Sequence, residues 1–351
     1  MYLFFSSDSN ELYRKDIIST LALPENYCIH FRYDKAFVSS DVFLNYRKAR
    51  GKDGIIVYVQ GNRGEPAEDR NLKFLPIRNV LVEDCYFEES TNLIHYFLRL
   101  GKIVDADGIP LNNSSHDIDL PPNNFVSSVQ TCGSVVIPWH LKIKKLIEFD
   151  SKFKNSLLFN INIRNREKWD NLQTLIDFDF ADKSSSFRMY EGKIYVLELS
   201  IFNSAEDGQT HENYFLDINN KSEDIFISNP ERIMIGAEAD NRSYKIITKE
   251  IKSSKALEFI KFRSLTMDSD KEIELFSEIL QLNIRRNISI LNKRVGFAIL
   301  GLMSTGGIAV LSSEFGKDHI SSGAFIPCLF IALIFYLFSM KGQFYYTGNK
   351  N

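Results

Sequence analysis

Two stretches without a single charged residue stand close together late in the chain. Val295 to Leu311 reads VGFAILGLMSTGGIAVL, and Gly323 to Met340 reads GAFIPCLFIALIFYLFSM. At 1.5 Å of rise per residue, each is near the minimum length of helix that crosses the hydrocarbon layer of a bilayer. Two such runs, both flanked by charge, predict a transmembrane helical hairpin over residues 295–351. A buried helical pair is the alternative reading.

Basic residues orient this hairpin. Arg285, Arg286, Lys293 and Arg294 precede the first run, and Lys341 and Lys350 follow the second, whereas the loop from Ser312 to Ser322 sets one Lys317 against Glu314 and Asp318. Lys and Arg collect on the cytoplasmic side, which predicts a multi-pass protein of the inner (cytoplasmic) membrane with both termini cytoplasmic. The opening residues, Met-Tyr-Leu-Phe-Phe and then Ser6, Ser7 and Asp8, lack the pattern of a secretory signal. Small residues recur every fourth position, as Gly301, Thr305 and Ala309 in the first run and Ala324, Cys328 and Ala332 in the second. Rows of this kind let helix backbones approach closely, so these six are the candidate helix-packing residues, within one hairpin or between protomers. Neither run contains an Asp, Glu, Lys, Arg or His, which leaves the relays of a transporter without a candidate.

Ahead of the runs the signals are mostly those of strands. Tyr27–Tyr33, Gly54–Gln60, Leu72–Phe87 and Leu93–Val104, with a helix near Glu11–Leu21, predict a small-barrel-like or compact-sheet domain over 1–140. Leu157–Ile163, Lys193–Phe202, Tyr214–Ile218, Ile225–Ser228, Arg232–Gly236 and Tyr244–Thr248 predict a β-sandwich-like domain over 141–263, interrupted by helical patterns at Glu167–Ile176 and Lys255–Arg263. From Asp268 to Lys293, apolar Ile273, Phe276, Leu280, Ile284, Ile288 and Leu291 recur at three and four residues, which predicts an amphipathic connecting helix over 264–294. The expected fold class is therefore mainly β (α+β): two strand-rich domains, an amphipathic helix and a transmembrane hairpin.

Composition narrows the chemistry. With 42 basic against 45 acidic residues, and a net charge of −3, no global positive field attracts a nucleic-acid backbone, and direct nucleic-acid binding is not expected. Cys28, Cys85, Cys132 and Cys328 stand apart, without a C-x-x-C pair or a histidine at zinc spacing, and read as core residues in a reducing compartment. The phosphate-cradling glycine loops, G-x-S-x-G and H-E-x-x-H are all absent, so neither an enzyme nor a bound cofactor or metal is expected. His30 and His95 fall inside strands beside apolar neighbours and read as satisfied core or cross-strand histidines rather than catalytic ones. Asp177, Asp179 and Asp182 alternate with Ile176, Phe178 and Phe180, as on a solvated strand face. One candidate ligand site remains, because Arg32, Arg63, Arg78 and Arg99 come from separate strands or loops, and arginines converging on one sheet face hold a phosphate or carboxylate bidentately. Arginines on unrelated faces are the alternative.

In layout, and in the strand segments KFLPIRNVLVEDCYF and LIHYFLRLGKIV, the chain resembles the membrane effectors of prokaryotic antiviral systems, including those that travel with short Argonautes or cyclic-nucleotide signalling. The resemblance implies a body held quiet, or docked on a partner, until invasion is sensed, after which oligomerised hairpins depolarise or permeabilise the membrane. The expected partners are the lipid bilayer and a protein partner or further copies of the chain. A membrane-tethered binding or scaffold protein with a passive anchor is the second expectation.

Overall fold

The computed structural model describes residues 1–60, 73–106, 125–129, 132–165, 176–204, 214–220, 222–228, 232–235, 238–251, 253–268 and 271–287. The expected hairpin over 295–351 and residues 167–175 of the expected helix at Glu167–Ile176 lie outside the described residues. Among those described, no helix is long and apolar enough to cross a membrane.

The body is mainly β, as expected. A seven-stranded sheet is built from β1 (Tyr2–Ser7), β2 (Cys28–Asp34), β3 (Asp53–Gln60), β4 (Lys73–Glu88), β5 (Leu93–Asp105), β6 (Phe125–Ser128) and β7 (Val135–Val136). Its order is β2-β5-β4-β3-β1-β6, with β7 beside β5. Only β1 and β3 run parallel; the other neighbours are antiparallel. The central strands β1 and β3 carry continuous apolar runs because both of their faces are covered. One face of the sheet buries Leu3, Phe5, Ile55, Val57, Val59 and Val104 in a single cluster. On the other, Phe4 meets Tyr96 edge-on at 5.2 Å.

Among the described residues three α-helices accompany the strands: α1 (Glu11–Ala22), α2 (Ser40–Leu44) and α3 (Trp139–Phe149). Helix α1 starts where Asn10 accepts the Leu12 amide at 3.0 Å, an N-cap that sequence alone suggests. Its C-terminal end is closed by side chains from elsewhere. Arg78 Nη1 of β4 donates to Thr20 O at 2.7 Å and to Leu23 O at 2.6 Å. Trp139 Nε1 of α3 donates to Leu21 O at 3.0 Å. The last carbonyls of a helix have no partner within it, and here other elements supply the donors.

The remaining strands are β8 (Leu157–Asn165), β9 (Ile176–Asp179), β10 (Ser184–Tyr190), β11 (Ile194–Asn203), β12 (Tyr214–Asn220), β13 (Ile225–Ile227), β14 (Arg232–Met234), β15 (Ala239–Thr248), β16 (Lys255–Asp268) and β17 (Lys271–Arg285). They form two sheets, ordered β14-β12-β16-β17-β10-β9 and β13-β15-β11-β8. Phe159 of β8 faces Phe262 of β16 at 6.1 Å and Phe276 of β17 at 5.5 Å, so aromatic rings fill the space between the sheets in the manner of a β-sandwich.

Two expected helices are strands. Lys255–Arg263 belongs to β16, and the first two-thirds of the expected amphipathic helix is β17. In β17 the buried residues are Phe276, Leu280, Leu282 and Ile284, all on one face of a pleated strand. A separation of four residues is shared by both periodicities, and Ile273, which seemed to extend the helical stripe, is 44% exposed on the other face.

The chain divides into two compact units. The first comprises Met1–Arg188, Ile194–Ile247 and Leu257–Asn283; the second comprises Met189–Lys193, Thr248–Ala256 and Ile284–Asn351.

Candidate functional site

Strand alternation puts His30 and Arg32 of β2 on one face, and pairing places Phe97 and His95 of β5 directly opposite them. On the far side of β5, a bulge in β4 between Val82 and Asp84 resets the register so that Asp84 faces Phe97 and Tyr86 faces His95. The β4–β5 hairpin closes through Asn92, whose φ of 58° lies in the left-handed region that Asn tolerates.

The outcome is a ladder of parallel rings. Tyr86 stacks on His95 with centroids 4.6 Å apart and planes 5° apart, and His30 stacks on Phe97 at 4.6 Å and 6°. His30 and His95 stack at 5.1 Å, and His30 Nε2 lies 2.9 Å from His95 Nδ1. One hydrogen is shared there, so one imidazole donates and the other accepts. His95 Nε2 sits 3.3 Å from Glu88 Oε2, an electrostatic contact that lacks hydrogen-bond geometry and favours a proton on that nitrogen. With that tautomer, His30 is the donor to His95. Partial burial, the neighbouring His95 and the Arg32 guanidinium together hold His30 down to about 4, so His30 is neutral at physiological pH.

The β9–β10 hairpin covers one end of the ladder. Phe178 lies 5.8 Å from Phe97, and Lys183 ion-pairs with Asp84 while its ammonium stands 5.9 Å from the Phe97 ring. Asp179 shapes this hairpin by accepting the Ala181 amide at 2.8 Å, and Asp177 pairs with Arg188. Asp177 and Asp179 therefore have structural work, and Asp182 lies in the turn between β9 and β10. At the other end Tyr86 is 40% exposed, and His30 and Arg32 are exposed on β2, an edge strand. Arg32 makes no hydrogen bond or ion pair with a described residue.

The four candidate arginines do not form one site. Arg78 is 2% exposed, and besides its bonds to α1 its Nε donates to Gly101 O at 2.6 Å. Burial lowers it to about 10, which still leaves it charged at neutral pH. It is a structural cation of the interior. Arg99 shares the face of Arg32 but pairs with Glu83 at 2.7 Å. Arg63 lies outside the described residues, as do the packing residues Gly301, Thr305, Ala309, Ala324, Cys328 and Ala332. Tyr86, Phe97 and Glu88 were not singled out from sequence, because finding them requires the β4–β5 register and its bulge. The spacings His30-x-Arg32 and His95-x-Phe97 were the available signal.

Chemically, the ladder offers stacked rings, a hydrogen shared between two imidazoles and one unengaged guanidinium, which are means of binding. Among the described residues no group of three or more His, Cys, Asp or Glu is arranged to hold a metal ion. Cys28 and Cys85 are free thiols.

No family model matches the chain, and no curated protein matches it. Among solved structures, 29% of this chain aligns with 56% of the periplasmic chaperone SfaE at 16% identity, with a TM-score of 0.20. A cohesin module from a family 33 glycoside hydrolase of Clostridium perfringens aligns over 32% of this chain and 95% of its own at 14% identity and a TM-score of 0.18. The Vibrio cholerae protease VesB aligns over 61% and 83% at 6% identity and a TM-score of 0.19. Scores this low carry no argument about fold or function.

Proposed function

We propose that the chain is a membrane-anchored, non-enzymatic protein whose cytoplasmic β-rich body, of two strand-rich domains, senses a partner or ligand and governs a two-helix transmembrane hairpin. The observation that carries this reading is the pair of uncharged runs, Val295–Leu311 and Gly323–Met340, behind a basic flank of Arg285, Arg286, Lys293 and Arg294. The open end of the ring ladder, with Arg32 beside it, supports a recognition role for the body. In the effector form of the proposal, hairpins associate through their small-residue rows and depolarise or permeabilise the membrane. Antiviral defence enters only through the resemblance in layout.

The absence of Asp, Glu, Lys, Arg and His from both runs suits a passive anchor equally, and that is the second reading. The deciding experiment expresses the full chain and a chain ending at Asn292 in a bacterium, followed by carbonate extraction and a potential-sensitive dye. The full chain is expected to resist extraction and the shortened one to be released. Release of the full chain by carbonate would sink the membrane reading. Depolarisation by the full chain supports the effector form; full function with an unrelated hairpin substituted supports the anchor.

A further inference from the structure

In the second compact unit a buried carboxylate holds the chain just before it leaves the described structure. The turn from Tyr190 to Lys193 is tight, with Gly192 at φ 68°, and the Gly192 amide donates to Thr248 O at 2.9 Å. Thr248 Oγ1 in turn donates to Tyr190 O at 2.6 Å. Glu191, within this turn, is fully buried. Its amide donates to Arg285 O at 3.0 Å. Its Oε2 accepts the Ile251 amide at 3.1 Å, and its Oε1 accepts the Asn287 amide at 3.2 Å.

Glutamate is seldom wholly buried unless paired, because removing a carboxylate from water is costly. Here both oxygens take main-chain donors, which are charge-assisted bonds and among the stronger of their kind. One side chain thereby joins three separated segments: the 190–193 turn, Ile251 and the end of β17. Asn287 lies eight residues before Val295, where the first uncharged run begins.

We propose that the Glu191 carboxylate is a latch on the segment that follows β17, through which the body restrains the uncharged runs. The restraint rests on the membrane reading above; the latch itself does not. Glu191→Gln keeps the shape but puts an amide NH2 where one oxygen was, so one backbone N–H then faces a donor. Gly192→Ala reaches the same latch by another route, since a Cβ strains the turn at positive φ.

The test uses the full chain in native membranes. Hydrogen exchange at the Ile251 and Asn287 amides should quicken by about tenfold to a hundredfold in Glu191→Gln, as expected for loss of a charge-assisted hydrogen bond. Exchange at Val57 and Leu98, in the first unit, should not change. In an Asn292→Cys background, maleimide labelling should rise with the same substitution. Gly192→Ala should reproduce both effects if Glu191→Gln fails to accumulate. Unchanged exchange at Asn287 overturns the latch, and quickened exchange with unchanged labelling at position 292 overturns the restraint. Release of the full chain by carbonate would remove the membrane reading while leaving the exchange result standing, so the two failures are distinguishable.

Discussion

Replacing Arg78 by Met tests the claim that this residue closes α1 rather than binding a ligand. The side chain is 2% exposed and donates to Gly101 O, Thr20 O and Leu23 O at 2.6, 2.7 and 2.6 Å. Methionine fills much of the volume but offers no donor, so three interior carbonyls lose a partner at once. Two of them are the orphan carbonyls at the C-terminal end of α1, where a cation is also favoured by the helix dipole. Breaking a buried charged network by removing one member costs about 3–5 kcal/mol. Against a typical stability of about 5–15 kcal/mol, this is a large fraction. Arg78→Lys should lose about 2 kcal/mol, because an ammonium does not reproduce the planar fork. Urea unfolding followed by tryptophan fluorescence suits the purpose, since Trp139 donates to Leu21 O beside the same helix end. A loss below about 1 kcal/mol for Arg78→Met, with an unchanged denaturant slope, would refute the structural assignment.

Three further outcomes follow from particular contacts. Burial, opposed by Arg32 and reinforced by Glu278, pushes Asp16 up to about 7. The folded state then holds a proton that the unfolded chain releases, so stability should fall as pH rises from about 4 to about 7 and level off above. Asp16→Asn should flatten that slope, and an unchanged slope in pH-dependent melting would count against it. His30, held down to about 4, shows the opposite sign: its stabilising effect is complete above the ordinary histidine range and lost as pH falls toward 4. His30→Phe keeps a ring on Phe97 and should weaken that acid loss, as read by melting between pH 7 and 4. Gly54→Ala should destabilise by about 1–3 kcal/mol, because its Cβ would lie 2.7 Å from Phe4 Cε2 and 2.9 Å from the Tyr2 carbonyl oxygen. A melt equal to that of the parent chain would show that β1 and β3 can separate without penalty.

Much of the β architecture is legible because the chain states it locally. Strands β2, β3, β4 and β5, and helix α1, lie within a residue or two of the spans read from the sequence pattern. The failure in β17 has a physical origin. In β17 an inward Glu278 interrupts the apolar alternation, so Phe276 and Leu280 stand four apart, as on a helix face. Its Oε1 accepts the Ile279 amide at 3.1 Å, while Oε2 is shut away from solvent, and burial raises its pKa. Polarity alone assigns this carboxyl to solvent, yet the fold holds it inward. A tertiary environment thus overrode the local pattern.

The site was less legible than the fold, and the arginines show why. Sequence identifies which strands carry Arg32, Arg78 and Arg99, but the direction of each side chain depends on register, and the register of β4 shifts at its bulges. Those shifts accompany the departure of Arg78 from the face that Arg32 and Arg99 share, and its guanidinium lies at the end of α1 instead. The same strand brings Tyr86 opposite His95 through its shift between Val82 and Asp84, while Arg78 sits at a second shift, between Arg78 and Val80. No periodicity within a single strand encodes such a pairing, because a bulge is defined only against its neighbour. What the sequence did contain was the composition of the face: His30 with Arg32, and His95 with Phe97, each two residues apart. A recognition surface assembled this way should depend on β4 register more than on any one ring. Deleting one residue at the Val82–Asp84 bulge should therefore disrupt the Tyr86–His95 stack while β2 and β5 remain paired, and imidazole resonances followed through an acid titration would report it. Persistence of the stacked His30–His95 signature together with an unshifted Tyr86 ring would show that the bulge does not set the face.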